Sequence, residues 1–188
     1  MLSGSVSRST RKLRFSVPMN QPVQYEKRDL PVDPYVMGAF IADGCLTRSV
    51  SALCISGDDE FIVAKCAERV GASGYKRHGS MHHRADGSAR TNYSWYFIDP
   101  SRERPNTDAL LSKMSVFGGI EGVVDTKSTE RRIPAEYLTA SVEQRWELLQ
   151  GLFDCDGHIG AKDGGRYNVS YSTACQGLAE DVQRLLWS

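Results

Sequence analysis

Two apolar runs in this chain end in the same way. Residues 34–44 hold Tyr35, Val36, Met37, Phe40 and Ile41, and residues 148–157 hold Leu148, Leu149, Leu152 and Phe153. Each predicts a helix with a small residue inside its apolar stretch, Gly38 in one and Gly151 in the other, and each closes on a carboxylate followed by glycine: Asp43-Gly44 and Asp156-Gly157. Glycine in that place commonly ends a helix. The acid before it runs against local preference, because a helix C-terminus carries partial negative charge and favours cations. One such end is an accident, and two suggest a site.

The pattern after each run repeats. Behind Gly44 it predicts a short strand at 45–47, a turn at 48–49, a strand at 50–56 and a helix at 59–71. Behind Gly157 it predicts a strand at 158–162, a turn at 163–165, a strand at 166–174 and a helix at 176–187. The first half continues into a hairpin, 75–84 and 89–99, joined at Asp86-Gly87, a favoured hairpin turn pair. A helix at 108–116 and a connector over 118–140 follow. The second half shows no counterpart of that hairpin and helix, so it reads as truncated at Ser188, with an unpaired strand edge expected there.

Strict alternation marks two of these strands. Tyr93, Trp95 and Phe97 form one face against Arg90, Asn92 and Ser94 on the other. Tyr167, Val169 and Tyr171 are expected inward, with Arg166, Asn168, Ser170 and Ser172 outward. The partner strand adds Lys76, His78, His82 and Arg84. By itself this pattern suits a solvated sheet face as well as a ligand-reading one.

Helical spacing gives the paired acids a geometry. Gly38 and Ala42 share one helix face, as do Gly151 and Cys155. Faces that small let two helix backbones approach closely, which would bring Asp43 and Asp156 together at one end of the pair. Carboxylates that close repel unless a proton or cation lies between them. Hard, oxygen-preferring Mg²⁺ suits the role, and carboxylate-held divalent cations serve phosphodiester hydrolysis.

These residues resemble the LAGLIDADG (dodecapeptide, DOD-type) homing endonucleases. Residues 38–44 and 149–157 align with the two motif helices, with Ile41 standing where the motif often has an acid. The resemblance implies that Asp43 and Asp156 are the catalytic, metal-holding acids, with Gly44 and Gly157 beside them at the metal. It implies Gly38, Ala42, Gly151 and Cys155 at the helix interface, and Mg²⁺ or Mn²⁺ as cofactor. Lys127 and the Ile133-Pro134 pair resemble the stretch before the second motif, where the lysine assists the chemistry. Residues 12–18 with 30–35 look like the approach to an endonuclease domain inside an intein, a mobile protein-splicing element.

The fold so implied is α+β, a pseudo-two-fold pair of αββαββα units with antiparallel DNA-binding sheets, the second truncated. Its parts are a lead-in at 1–29, a first unit at 30–118, a connector at 119–141 and an incomplete second unit at 142–188. The implied partner is double-stranded DNA, read by Lys76, His78, His82, Arg84, Arg90, Asn92, Ser94, Arg166, Asn168 and Ser170. Arg and Asn on a β-ribbon suit guanine and adenine edges in a major groove. Flanking splicing segments or a second chain completing the truncated half are further expected partners. A non-cleaving nucleic-acid binder, such as a maturase or transcription factor, and an inactive intein fragment are the alternatives.

Composition narrows the rest. Lys plus Arg and Asp plus Glu are each 23, so no global basic field draws the chain to nucleic acid, and affinity must come from local patterning. The five cysteines form no Cys-x-x-Cys pair, which favours reduced thiols and a cytoplasmic, bacterial or phage-encoded setting. No membrane span is expected. His82 and His83 are neighbours, so a strand points them to opposite faces, away from a shared metal. Asp154 and Asp156 imitate the opening of an EF-hand, but His158 stands where the third ligand belongs. Asp154 reads as a solvated acid or one that supports the site from behind, and not as a metal ligand. The chain also lacks the nucleophile and terminal His-Asn pair that splicing needs, so it is not expected to splice alone.

Overall fold

The computed structural model describes residues 20–45, 54–83, 85–98, 127–162 and 166–188, apart from the side chains of 128, 162 and 166. The expected lead-in at 12–18, the turn at 48–49, the helix at 108–116 and Arg84 lie outside the described residues.

Helix α1 (Pro34–Asp43) starts where local rules put it. Asp33 caps it by accepting from the Val36 amide at 3.2 Å, and Pro34 supplies a preset φ at the first helical position. Residues Pro34 through Ile41 are all buried. A helix apolar all round belongs inside a core. Strands β1 (Gly44–Cys45) and β2 (Cys54–Ser56) follow, then α2 (Glu60–Val70), capped by Asp59 and stopped by Gly71 in a left-handed conformation at φ 69°. The long hairpin β3 (Gly74–His83) and β4 (Ala89–Ile98) completes a four-stranded antiparallel sheet in the order β1-β2-β4-β3. Its register pairs His83 with Ala89, leaving a five-residue loop. Asp86-Gly87 lies inside that loop as expected, Gly87 at a left-handed φ of 84° and Asp86 accepting from the Ser88 amide at 2.9 Å, although the connection is longer than a two-residue turn.

A turn of 3-10 helix (Ser128–Glu130) and the short α3 (Ala135–Leu138) lead to α4 (Val142–Asp156), which opens on a capping box between Ser141 and Gln144. Strands β5 (Gly157–Lys162) and β6 (Arg166–Tyr171) form a separate two-stranded sheet, and α5 (Gln176–Trp187) closes the described chain. The mixture of helices with antiparallel sheets makes the fold α+β. Among the described residues no helix is long and apolar enough to cross a membrane. None of the five cysteines is in a disulfide.

One core joins the elements. Phe40 of α1 packs on Phe97 of β4 with ring centroids 5.8 Å apart, and Trp95, Ile55 and Val63 close around them. Leu148 and Leu152 of α4 meet α1 from the other side, followed by Leu178, Val182 and Leu185 of α5. The second sheet is different. Ile159, Tyr167 and Val169 share one face by register and are 69%, 75% and 60% exposed. The expectation that Tyr167 and Val169 point inward is thus wrong. Only Tyr171 turns in, its ring 5.3 Å from Phe153. The alternation is the same as in β4, but beyond the Tyr171 end, where Phe153 of α4 meets it, no described element covers that face.

Candidate active site

The two helices that carry the acids cross at their glycines. A Cβ on Gly38 would lie 2.2 Å from the Leu148 carbonyl oxygen, and one on Gly151 would lie 2.1 Å from that of Tyr35. The contact is reciprocal, since each glycine faces the backbone three residues before the other. Cys155 stays on this interface, its thiol donating to the Ala39 carbonyl at 3.8 Å, and Ala42 packs against the core.

Each helix then runs straight into a strand. Gly44 and Gly157 are extended, at φ −76° and −81°, and not in the left-handed conformation expected of terminating glycines. Their lack of a side chain matters for room: a Cβ would come within 2.6 Å of the Phe40 oxygen in one case and 2.3 Å of the Phe153 oxygen in the other. Asp43 and Asp156 are therefore the last helical residues, held where α1 and α4 both open toward the sheets.

Asp43 senses the charge of Asp156. Burial raises the Asp43 carboxyl to about 6 from its ordinary 3.8, the Asp156 charge pushes it the same way, and the Arg131 guanidinium opposes both. Asp156 is also raised, chiefly by burial, and again Arg131 pulls it down. A half-buried carboxylate pair with one neighbouring cation favours a second positive charge or a proton.

A polar cleft of about 540 Å³ opens over the pair. Asp43 and Asp156 line it with Ser80, His82, Arg90, Asn92 and Ser94. Register explains the company: Ser80 faces Asn92 and His82 faces Arg90 across the hairpin, on the face opposite Trp95 and Phe97. Lys76 and His78 continue that face, exposed, opposite Tyr96 and Ser94. On the second sheet Ser170 faces His158 and Asn168 faces Gly160.

Other predicted residues stand apart. Lys127 is exposed, precedes the 3-10 turn, and does not line the cleft. The Gly44 carbonyl accepts from Arg131 at 2.7 Å, so one of its lone pairs is taken. Asp154 is spent elsewhere, accepting from the Tyr35 hydroxyl at 2.9 Å with Lys65 at 4.0 Å.

Arg131 is the residue that pattern reading missed. One guanidinium nitrogen donates to the carbonyls of Ile41 at 2.7 Å and Ala42 at 3.1 Å, and the other to Gly44. The arginine thus supplies the positive charge that the C-terminus of α1 lacks in its own last turn. Its only trace in the sequence is the Arg131-Arg132 doublet inside the connector.

Among the described residues no cluster of three or more His, Cys, Asp or Glu side chains forms a metal site. Two carboxylates beside an open polar cleft still fit a magnesium-like ion, which keeps several waters and takes its remaining ligands from substrate phosphate.

Comparison with known proteins agrees with this geometry. Residues 143–187, covering α4 through α5, match a LAGLIDADG-like domain, the class found in homing endonucleases and related proteins, whose nucleases bind DNA. The replicative DNA helicase DnaB of Mycobacterium intracellulare is 29% identical over 178 residues, which is 95% of this chain and 22% of the helicase. The chain thus spans less than a quarter of that relative.

Proposed function

We propose that the chain is the cutting module of an intein-borne, DOD-type homing endonuclease, hydrolysing both strands of duplex DNA at a specific site. The observation that carries this reading is the reciprocal glycine crossing that delivers Asp43 and Asp156 to one polar cleft. In this reading α1 and α4 are pseudo-two-fold mates at the centre of two units, 30–118 and 142–188, joined by the connector at 119–141. Residues 1–29 form the junction with the intein.

Asp43 and Asp156 would hold Mg²⁺ or Mn²⁺, with the Gly44 and Gly157 backbones at its margin. When bound, the cation lowers the pKa of attacking water and neutralises charge on the departing oxygen. The chain's own residues do the rest. The acids would hold the ion at the polar cleft, and the sheets orient the duplex. Arg90 and Asn92 reach base edges, while His82, Lys76 and His78 contact phosphate. Arg166, Asn168 and Ser170 take the corresponding role on the second sheet, and Lys127 approaches the phosphate once DNA is bound. The helicase relative suggests the host: an allele of a DnaB-type gene without the insert is the natural target.

The exposed apolar face of β5 and β6 favours a second reading, a DNA-binding relative that meets a partner segment or chain on that face and does not cut. One experiment separates the two. Plasmid carrying an uninterrupted DnaB-type gene is incubated with the protein and Mg²⁺. The nuclease reading expects one double-strand break, abolished by Asp43→Asn and by Asp156→Asn. Retarded mobility without cutting supports the binder, and neither effect sinks both readings.

A further inference from the structure

We propose that Arg131 is the positioning residue for Asp43, clamping one half of the catalytic pair while among the described residues the other half stands without such a clamp. The inference rests on the nuclease reading and names a residue that reading does not use.

The clamp has two ends. On one side the guanidinium spans the terminal carbonyls of α1 and the first carbonyl of β1, reaching Ile41, Ala42 and Gly44 within 3.1 Å. Asp43 lies between those residues, so its backbone cannot shift without breaking contacts on both flanks. On the other side the backbone of the same segment is bolted to α5. The Cys175 thiol donates to the Arg131 carbonyl at 3.1 Å, Arg132 pairs with Asp181 through two contacts of 2.7 Å, and the Ile133 amide donates to Asp181 at 3.0 Å. Asp181 is itself buried. Gly177 lets this segment lie close, since a Cβ there would meet the Arg132 side chain at 2.6 Å.

The planar fork is essential to this geometry. A guanidinium presents several donors in fixed directions and serves separate carbonyls at once, whereas an ammonium is a point charge on a flexible stem. Its Nε is buried and has no partner, so the contacts to α1 and β1 come from the two terminal nitrogens. The charge also reaches both acids, holding down the affinity of Asp43 and Asp156 for protons.

Among the described residues the second helix has no such device. Its last turn carries no basic residue, and among the described residues no guanidinium reaches the carbonyls that end α4. If each acid serves one DNA strand, loss of Arg131 disables one strand's cut before the other's.

The test follows both strands of a supercoiled plasmid bearing a cleavable site, with Mg²⁺, for wild type, Arg131→Met and Arg131→Lys. Thermal melting of each protein sets the assay temperature below its transition. Arg131→Met should slow one strand's cut by about tenfold or more, the scale of a misplaced catalytic group, so that nicked circle accumulates. The other strand's cut should stay near the wild-type rate, and Arg131→Lys should restore part of the loss. If Arg131→Met shows no cooperative melt, the lysine variant decides, with the same strand bias at smaller size. Equal slowing of both strands, or no slowing in a folded variant, overturns the proposal. A wild type that cuts neither strand instead overturns the nuclease reading beneath it, and the absence of wild-type activity tells the two failures apart.

Discussion

Replacing Asp43 by asparagine should make the protein more stable while ending any cleavage. Raising a carboxyl from 3.8 to about 6 costs the native state about 3 kcal/mol at pH 7, at roughly 1.4 kcal/mol per pH unit. Asparagine removes that cost but also removes the charge that faces Arg131, so a net gain of about 2 kcal/mol is expected. For a chain of this size that is a rise of roughly 4–8 °C in melting temperature. The sign with pH is specific. The folded carboxyl binds its proton more tightly than the unfolded one, so wild-type stability falls as pH rises from about 4 to 6 and is level above that. The variant lacks this fall. Its advantage should therefore be absent at pH 4, grow across that window, and be complete by pH 7. Mg²⁺ should raise the melting temperature of the wild type and leave the variant unmoved, because an ion held by the native acids stabilises only a state that still has both. Calorimetry over pH 4–8 with and without Mg²⁺ checks each part. A variant less stable than wild type at pH 7, or a gain that does not change between pH 4 and 8, refutes the picture of two repelling, half-buried acids.

Gly38→Ala should cost about 3 kcal/mol or more, since its methyl group meets a backbone oxygen that has nowhere to go; urea unfolding of this variant beside wild type measures it. Val169→Asp should leave stability within about 0.5 kcal/mol, the residue being exposed, yet reduce self-association, which light scattering across a concentration series reports. A wild type that stays monomeric at high concentration counts against the open apolar face as a contact surface. Arg90→Ala should weaken binding to the cognate site by about 1–3 kcal/mol and narrow the gap between cognate and scrambled duplexes, read from fluorescence anisotropy on both. An unchanged preference for the cognate duplex would move Arg90 from the base edges to its neighbour Asp58, 3.8 Å away.

Where the sequence was legible, the cause of a residue's position lay within a few residues of it. The limits of α5 were read at 176–187 and are found there, because an amphipathic stripe is a local pattern with a tertiary consequence. The faces of β4 were read correctly because α1 and β2 bury Trp95 and Phe97. In β6 the same alternation misled, since alternation states only that one face is apolar and burial depends on what packs over it. The glycines that end the two helices are legible as stops, but each helix passes directly into a strand, and what their missing Cβ does there is relieve a steric contact. Arg131 was out of reach for a different reason. The carbonyls it serves lie 87 to 90 positions away, and no periodicity connects a connector arginine to a distant helix end. Carboxylates, glycines and alternating strands thus announce a site in the chain itself. The cation that steadies it becomes visible only when the helices have crossed, and the electrostatic balance between Asp43 and Asp156 is accordingly a property of the fold and not of either motif.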